Sequence, residues 1–129
     1  MGLKQNFVLS RIQNQGKFLG KLILGKDEIN YQLPMYEEMD NEIDKLYRRI
    51  LALSEQGDVN EAENELLEEL EDGDFRMFEM ALSFYLHLAE LGADFLEEHN
   101  YSMEEVAEGM ESLAEDFGVK GLEINAGTR

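Results

Sequence analysis

The chain has 129 residues and a net charge of −18, with 11 lysines and arginines against 29 aspartates and glutamates. This length fits one domain with a buried core, and a hydrophobic content of 43% indicates a chain that folds. The absence of cysteine excludes disulfides and thiolate metal sites. Because so acidic a surface repels phosphate groups, nucleic acid is not an expected partner.

The charge is divided unevenly along the chain. Residues 1–26 contain five lysines and arginines and no acidic residue, whereas residues 27–129 contain all 29 acidic residues and six basic ones. This pattern predicts a basic leading helix in front of an acidic helical body. No stretch reaches the about 18 uninterrupted apolar residues of a membrane span, and no secretory signal is recognised. We therefore expect a cytoplasmic protein.

The leading helix is predicted over about residues 4–24. At 100° per residue its apolar residues fall on one face, namely Phe7, Val8, Ile12, Phe18, Leu19, Leu22 and Ile23. Lys17 and Lys21 lie on the opposite face. Gly16 and Gly20 border the apolar face one turn apart, where the absence of a side chain would let another helix approach closely.

Four further helices are predicted in the body, at about residues 35–56, 59–72, 75–91 and 103–117, with one or two added turns over 93–98. Residues 26–33 are interpreted as a connector, and Pro34 prevents a helix from running through it. The helix over 75–91 is apolar almost all round, which is typical of the middle of a bundle.

Capping-box spacings after short turns indicate where two of these helices begin. Asp58 with Glu61 and Ser102 with Glu105 have the spacing of a capping box. The predicted core residues are Ile43, Leu46, Ile50, Ala62, Leu66, Phe78, Leu82, Tyr85, Ala107 and Met110. The other methionines, among them Met35 and Met39, also lie at inward spacings and are interpreted mainly as core filling.

Residues 56–62, followed by Leu66 and Leu70, resemble the turn and second helix of a tetratricopeptide repeat. The resemblance covers about residues 43–70 and implies two antiparallel helices that pack closely at a small residue, here Ala62. The leading segment also resembles the start of small uncharacterised proteins of low-GC Gram-positive bacteria, which implies a bacterial origin and no particular function.

The sequence therefore predicts an all-α fold of five main helices in antiparallel hairpins. They form either a tetratricopeptide-like array or an irregular helical bundle. One domain is expected over residues 1–118, with a basic helix over 4–24 and an acidic body over 35–118. Residues 119–129 are expected to form a loose tail.

Motifs for catalysis or for metal and phosphate binding are absent from the sequence. It has no Gly-x-Ser-x-Gly, no His-Glu-x-x-His, no calcium loop and no glycine-rich phosphate loop. Ser83 and His87 lie one turn apart on the most apolar helix, so His87 is interpreted as a core-edge residue bonded to a neighbour. We expect no enzyme activity, no cofactor and no metal.

A magnesium-dependent nucleotide hydrolase is the alternative. Helical nucleotide pyrophosphatases bind Mg²⁺ through acids one turn apart, and this spacing occurs at Glu65 with Glu68, Glu69 with Asp72, and Glu104 with Glu108 and Glu111. Such pairs arise easily by chance in so acidic a chain. No lysine or arginine cluster is available for phosphate.

The leading helix has three interpretations. It packs on its own body, or it pairs with a second copy through Gly16 and Gly20, or it lies on an anionic membrane surface as part of an adaptor. The first is favoured because the apolar face is only as wide as a core-facing helix requires, and the acidic body opposes the third.

Function is thus not fixed by the sequence. The best hypothesis is a non-enzymatic protein-interaction or scaffold module with an unidentified protein partner, and it includes self-association into a homo-oligomer. The residues predicted to bind that partner are Phe7, Arg11, Gly16, Lys17, Gly20 and Lys21.

Overall fold

The computed structural model describes residues 2–70 and 74–118, and for residues 2–7 the backbone alone. Its elements in chain order are α1 (Gly2–Leu19) with a π-helical turn (Gly20–Leu24), a 3-10 turn (Glu37–Met39), α2 (Glu42–Glu55), α3 (Val59–Glu69), α4 (Phe75–Leu91), α5 (Ala93–Glu98) and α6 (Met103–Asp116). The described residues contain six helices and no strand, which confirms the predicted all-α fold. The predicted tail over 119–129 lies outside the described residues.

α4 is the central helix of the fold. Ten of its 17 residues are buried, and they lie on every side of the helix. α1, α2, α5 and α6 pack against it, and Tyr85 Oη donates a hydrogen bond to Glu63 on α3 at 2.7 Å. A helix that is apolar all round needs neighbours all round. The prediction of a helix over 75–91 in the middle of the bundle is therefore confirmed.

α1 packs on the chain's own body, against α4 and α6. Gly16 faces Leu86 of α4, and a Cβ added at this glycine would lie 2.8 Å from Leu86 Cδ2. Gly20 lies against the side chain of Ile29 in the connector. Both glycines thus serve close packing within one chain, as the first interpretation of the leading helix requires.

α2 is shorter than the sequence predicts. The prediction of a helix from about residue 35 was wrong, because α2 begins only at Glu42. The side chain of Asn41 accepts a hydrogen bond from the Asp44 N–H at 2.8 Å, and the Asp44 carboxylate accepts one from the Asn41 N–H at 2.9 Å. This capping box satisfies the first backbone donors and fixes the start of the helix.

The other helix boundaries lie close to the predicted ones. α4 has the predicted bounds, α5 supplies the added turns, and α6 ends at Asp116. The N–H of Glu105 donates to Ser102 Oγ at 3.1 Å, so Ser102 caps α6 as expected. Asp58 makes no side-chain hydrogen bond to the start of α3, so the capping box predicted there was wrong. α3 ends earlier than predicted because Leu70 is extended.

Most of the predicted core is buried. Eight of the ten predicted residues are buried, namely Leu46, Ile50, Ala62, Leu66, Phe78, Leu82, Tyr85 and Met110. Ile43 and Ala107 are half-buried and pack on the edge of the core instead.

Tyr31 holds the connector between α1 and α2 against the body. Its N–H donates to Ser83 Oγ at 2.9 Å, its hydroxyl donates to Asp44 Oδ1 at 2.6 Å, and Arg76 donates to Tyr31 Oη at 3.1 Å. Burial acts to raise the pKa of Asp44, but hydrogen bonds from Tyr31 and the Asn41 N–H, with two nearby arginines, hold that pKa below its ordinary value. Burial and the Asp44 carboxylate raise the pKa of Tyr31 to about 12.

Replacing Tyr31 with phenylalanine removes a donor from a buried carboxylate. We expect Tyr31→Phe to lower the free energy of unfolding at pH 7 by about 1–3 kcal/mol, measured by urea denaturation. Tyr36→Phe removes a hydroxyl from an exposed tyrosine and should leave that free energy unchanged.

The same variant changes the response to acid. Because the pKa of Asp44 is lower in the folded chain, its contribution is present above the unfolded value of about 3.9 and is lost as pH falls through the folded value. Tyr31→Phe should therefore lose less stability than the wild type between about pH 5 and about pH 2. An identical acid dependence in the two proteins would contradict the role given to this hydrogen bond.

Candidate functional site

Three large apolar side chains lie exposed close together at the end of the connector. Met35, Tyr36 and Met39 are 85%, 61% and 69% exposed. The acidic Glu37 and Glu38 stand between them in the 3-10 turn. Single exposed apolar residues are ordinary, whereas a contiguous cluster is typical of an interaction surface. We call residues 35–39 the apolar knob.

The knob is a surface that the sequence prediction missed. Met35 and Met39 were expected to fill the core, and this interpretation was wrong. It assumed a helix over the segment, which would have turned Met39 towards the apolar face. Because Asn41 caps α2, the segment before it runs outside the helix.

Arg48 of α2 holds both ends of the knob. Its Nε and Nη2 donate to the Asp40 carboxylate at 2.6 and 3.3 Å, and Nη2 also donates to the Pro34 carbonyl oxygen at 3.1 Å. Pro34 directly precedes the knob and Asp40 directly follows it. The Asp40 side chain is almost completely buried in this contact. The backbone is thus fixed at both ends while the apolar side chains remain exposed.

A second surface is the groove between α1 and α6, which has a volume of about 660 Å³. We call it the α1–α6 groove. Its apolar lining includes Val8, Phe18, Met103 and Ala107, and Phe18 is 54% exposed. Arg11 lines it from α1 and Glu104 from α6. Its volume lies in the range of about 300–1,000 Å³ that is common for binding pockets.

The cationic residues predicted to bind a partner lie on different surfaces. Arg11 is exposed and lines the α1–α6 groove. Lys17 is exposed and lines another cavity, of about 310 Å³, beside α4 and the connector. Lys21 lies 3.1 Å from Asp27 in an exposed ion pair. Of the three, Arg11 alone belongs to the groove.

The other predicted binding residues provide no exposed side chain in the described part of the chain. Gly16 and Gly20 are buried against Leu86 and Ile29 of the same chain. The side chain of Phe7 lies outside the described residues. The two glycines are therefore occupied by packing within the chain.

Carboxylates from α3 and α6 line a third, smaller cleft of about 230 Å³. Glu63 accepts a hydrogen bond from Tyr85 Oη there. Burial, followed by the charge of Glu63, raises the pKa of Tyr85 and of Tyr101 well above the ordinary value. The Tyr101 hydroxyl lies near Glu63 without reaching hydrogen-bond geometry. Both phenols therefore stay protonated at neutral pH.

The acid pairs of the hydrolase alternative are dispersed. Arg49 Nε lies 2.5 Å from Glu65, and Arg49 Nη2 lies 3.2 Å from Glu69. Glu104 lines the groove, whereas Glu108 lines the cleft between α3 and α6. Asp72 is outside the described residues. Within residues 2–70 and 74–118, no group of three or more histidines and acids is placed to hold a metal ion.

Ser83 and His87 differ in their hydrogen bonding. The Ser83 hydroxyl accepts the N–H of Tyr31, as described above. His87 Nε2 lies 3.3 Å from a carboxylate oxygen of Glu55 but has no hydrogen-bond partner among the described residues. This position is that of a half-buried histidine at the edge of the core.

In the described part of the chain, no helix is long and apolar enough to cross a membrane.

Replacing Arg48 with methionine removes the contacts to both ends of the knob but keeps an apolar stem. We expect Arg48→Met to accelerate amide hydrogen exchange in residues 36–40 by at least about tenfold, while α2 keeps its protection. Lys45→Met is the matched control, because Lys45 lies on the same helix in an exposed pair with Glu42 at 3.6 Å. Equal exchange in the two variants would show that Arg48 does not hold the knob.

Comparisons with known proteins give one match. A family model described as a family of unknown function (DUF6483) matches residues 2–118, which include every described residue. No curated protein and no solved structure matches the chain. The tetratricopeptide resemblance and the link to Gram-positive bacteria stay predictions. The chain belongs to DUF6483, a family of unknown function.

Proposed function

We propose that this protein is a non-enzymatic protein-interaction module, and that the apolar knob is the part that contacts its partner. The observation that carries the proposal is the exposure of Met35, Tyr36 and Met39 on a backbone held at both ends by Arg48. Leaving three large apolar side chains in water has a free-energy cost that binding would recover.

The composition of the knob supports this role. Fully burying a methionine side chain is worth about 1.5–3 kcal/mol, and tyrosine and methionine are enriched in protein interfaces. The thioethers adapt to irregular partner surfaces. Because the backbone is already ordered, less conformational entropy is lost on binding than for a flexible segment.

The charge around the knob indicates the kind of partner. Glu37 and Glu38 lie within it, and Glu42 follows at the start of α2. An apolar surface with an acidic border fits a partner whose apolar groove has a basic border, since such an arrangement fixes orientation and speeds encounter.

Two finer statements belong to the same proposal. A tetratricopeptide-like hairpin of α2 and α3 is supported by their close packing, by the fully buried Ala62, and by the turn at Gly57, whose φ is +102°. A cytoplasmic location in a bacterium is supported by the absence of cysteine and by the resemblance of the leading segment.

The proposal is tested by photo-crosslinking in the cells that produce the protein. The photoreactive residue p-benzoylphenylalanine replaces Tyr36 in one strain and the exposed Asn64 of α3 in another. We expect light-dependent protein adducts from position 36 and none from position 64. Adding Met35→Asp and Met39→Asp should remove the adduct, because the charges oppose burial of the knob. Adducts from neither position, or equally from both, would contradict the proposal.

A further inference from the structure

We propose that the partner of the apolar knob is a second copy of this chain, whose α1–α6 groove receives it. This inference rests on the proposed function, because it requires the knob to be a binding surface. It assigns a common role to the apolar knob and the α1–α6 groove.

The groove and the knob match in chemical character. The groove is lined partly by apolar side chains, among them Phe18 and Met103, and its volume of about 660 Å³ can hold several side chains. The knob offers the apolar side chains of Met35, Tyr36 and Met39. Aromatic rings and thioethers make favourable contacts with one another.

A molecule does not fill its own groove. No knob residue lines the α1–α6 groove, and Arg48 fixes the knob beside α2. The knob therefore has to insert into the groove of another molecule.

The charges of the two surfaces favour one orientation. The wall from α1 carries Arg11, and residues 1–26 contain no acidic residue. The opposite wall carries Glu104 on α6. Glu37 and Glu38 of an inserted knob would be attracted by the first wall and repelled by the second. This attraction and this repulsion both favour a pose in which these acids lie beside Arg11.

The positions of the two surfaces determine the type of assembly. The knob lies beside α2, whereas the groove lies between α1 and α6. A contact between two different patches is heterologous, so every added molecule offers a further knob or groove. Repeated contacts of this kind build an open chain or close into a ring, and the smallest ring is a dimer with two reciprocal knob-to-groove contacts.

The expected affinity is modest. An exposed apolar patch of this kind covers a few hundred Å², less than the about 800 Å² that each partner buries in a standard interface. Two molecules of charge −18 also repel each other at long range. At about 0.15 M salt the Debye length is about 8 Å, so charges in contact still act while the long-range repulsion is largely screened. We expect association in the micromolar range.

Sedimentation velocity of full-length variants at about 0.15 M salt tests the inference. The groove variant is Phe18→Glu, and the knob variant combines Met35→Asp with Met39→Asp; all three side chains are exposed. We expect the wild type to grow in mass with concentration and each variant alone to stay monomeric. A mixture of the two variants should form one-to-one dimers that do not grow, because each pair retains one intact knob and one intact groove.

A charge exchange tests the orientation. Arg11→Glu alone, and Glu37→Lys with Glu38→Lys alone, should each weaken association by at least about tenfold, and their combination in one chain should restore it to within about threefold. Lys17→Glu is the matched control, since it changes the charge equally at an exposed residue outside the groove. It should leave association within about threefold of the wild type.

Other outcomes separate this inference from the proposed function. Self-association of the knob variant with loss in the groove variant would indicate a symmetric groove-to-groove dimer and overturn the inference. A wild type that stays monomeric, while position 36 crosslinks to a different protein, would also overturn it and leave the proposed function standing. Monomers without any position-specific crosslink would overturn both. Thermal melts followed by circular dichroism establish that each variant is folded.

Discussion

The connector, and the knob at its end, depend on the hydrogen bonds of Asp44. This buried carboxylate accepts from the hydroxyl of Tyr31 and from the N–H of Asn41, and its own N–H donates to the Asn41 side chain. A buried charge is tolerated only while its partners are all present. One side chain thus fixes both the start of α2 and the path of the chain before it, which Tyr31 also ties to Ser83 of the central helix.

The start of α2 determines the geometry of the candidate site. Because the helix begins after Asn41, Arg48 stands two turns into it and reaches back to Asp40 and Pro34. If the helix had begun earlier, residues 35–40 would have been part of it, and there would be no loop for Arg48 to hold. The exposed knob is therefore a consequence of the cap, and its ordered backbone makes it suited to binding without a large loss of entropy.

Local sequence patterns were sufficient to predict the helices that bury an apolar face. They were insufficient where contacts between residues far apart in sequence determine the structure. The apolar sequence of α4 located the central helix, and Ser102 located the start of α6. The Asn41–Asp44 spacing is that of a capping box, a local signal that could have located the start of α2. The contacts of Tyr31 with Ser83 and Arg76 join residues far apart in sequence, and no local pattern contains that information. The path of the connector follows from those contacts and so was not predictable.

The uneven charge distribution has two separate consequences in the fold. At the end of the basic segment, Lys26 donates to both carboxylate oxygens of Glu79 at 2.8 and 3.0 Å and so ties the connector to α4. Nearer the start, Arg11 lies on the groove, where it faces solvent. Exposed ion pairs contribute only about 0–1 kcal/mol each, so in the proposed contact such charges select orientation and the buried apolar side chains supply most of the affinity. In the proposed contact, the charge division that dominates the sequence therefore bears more on the orientation of the two molecules than on their affinity.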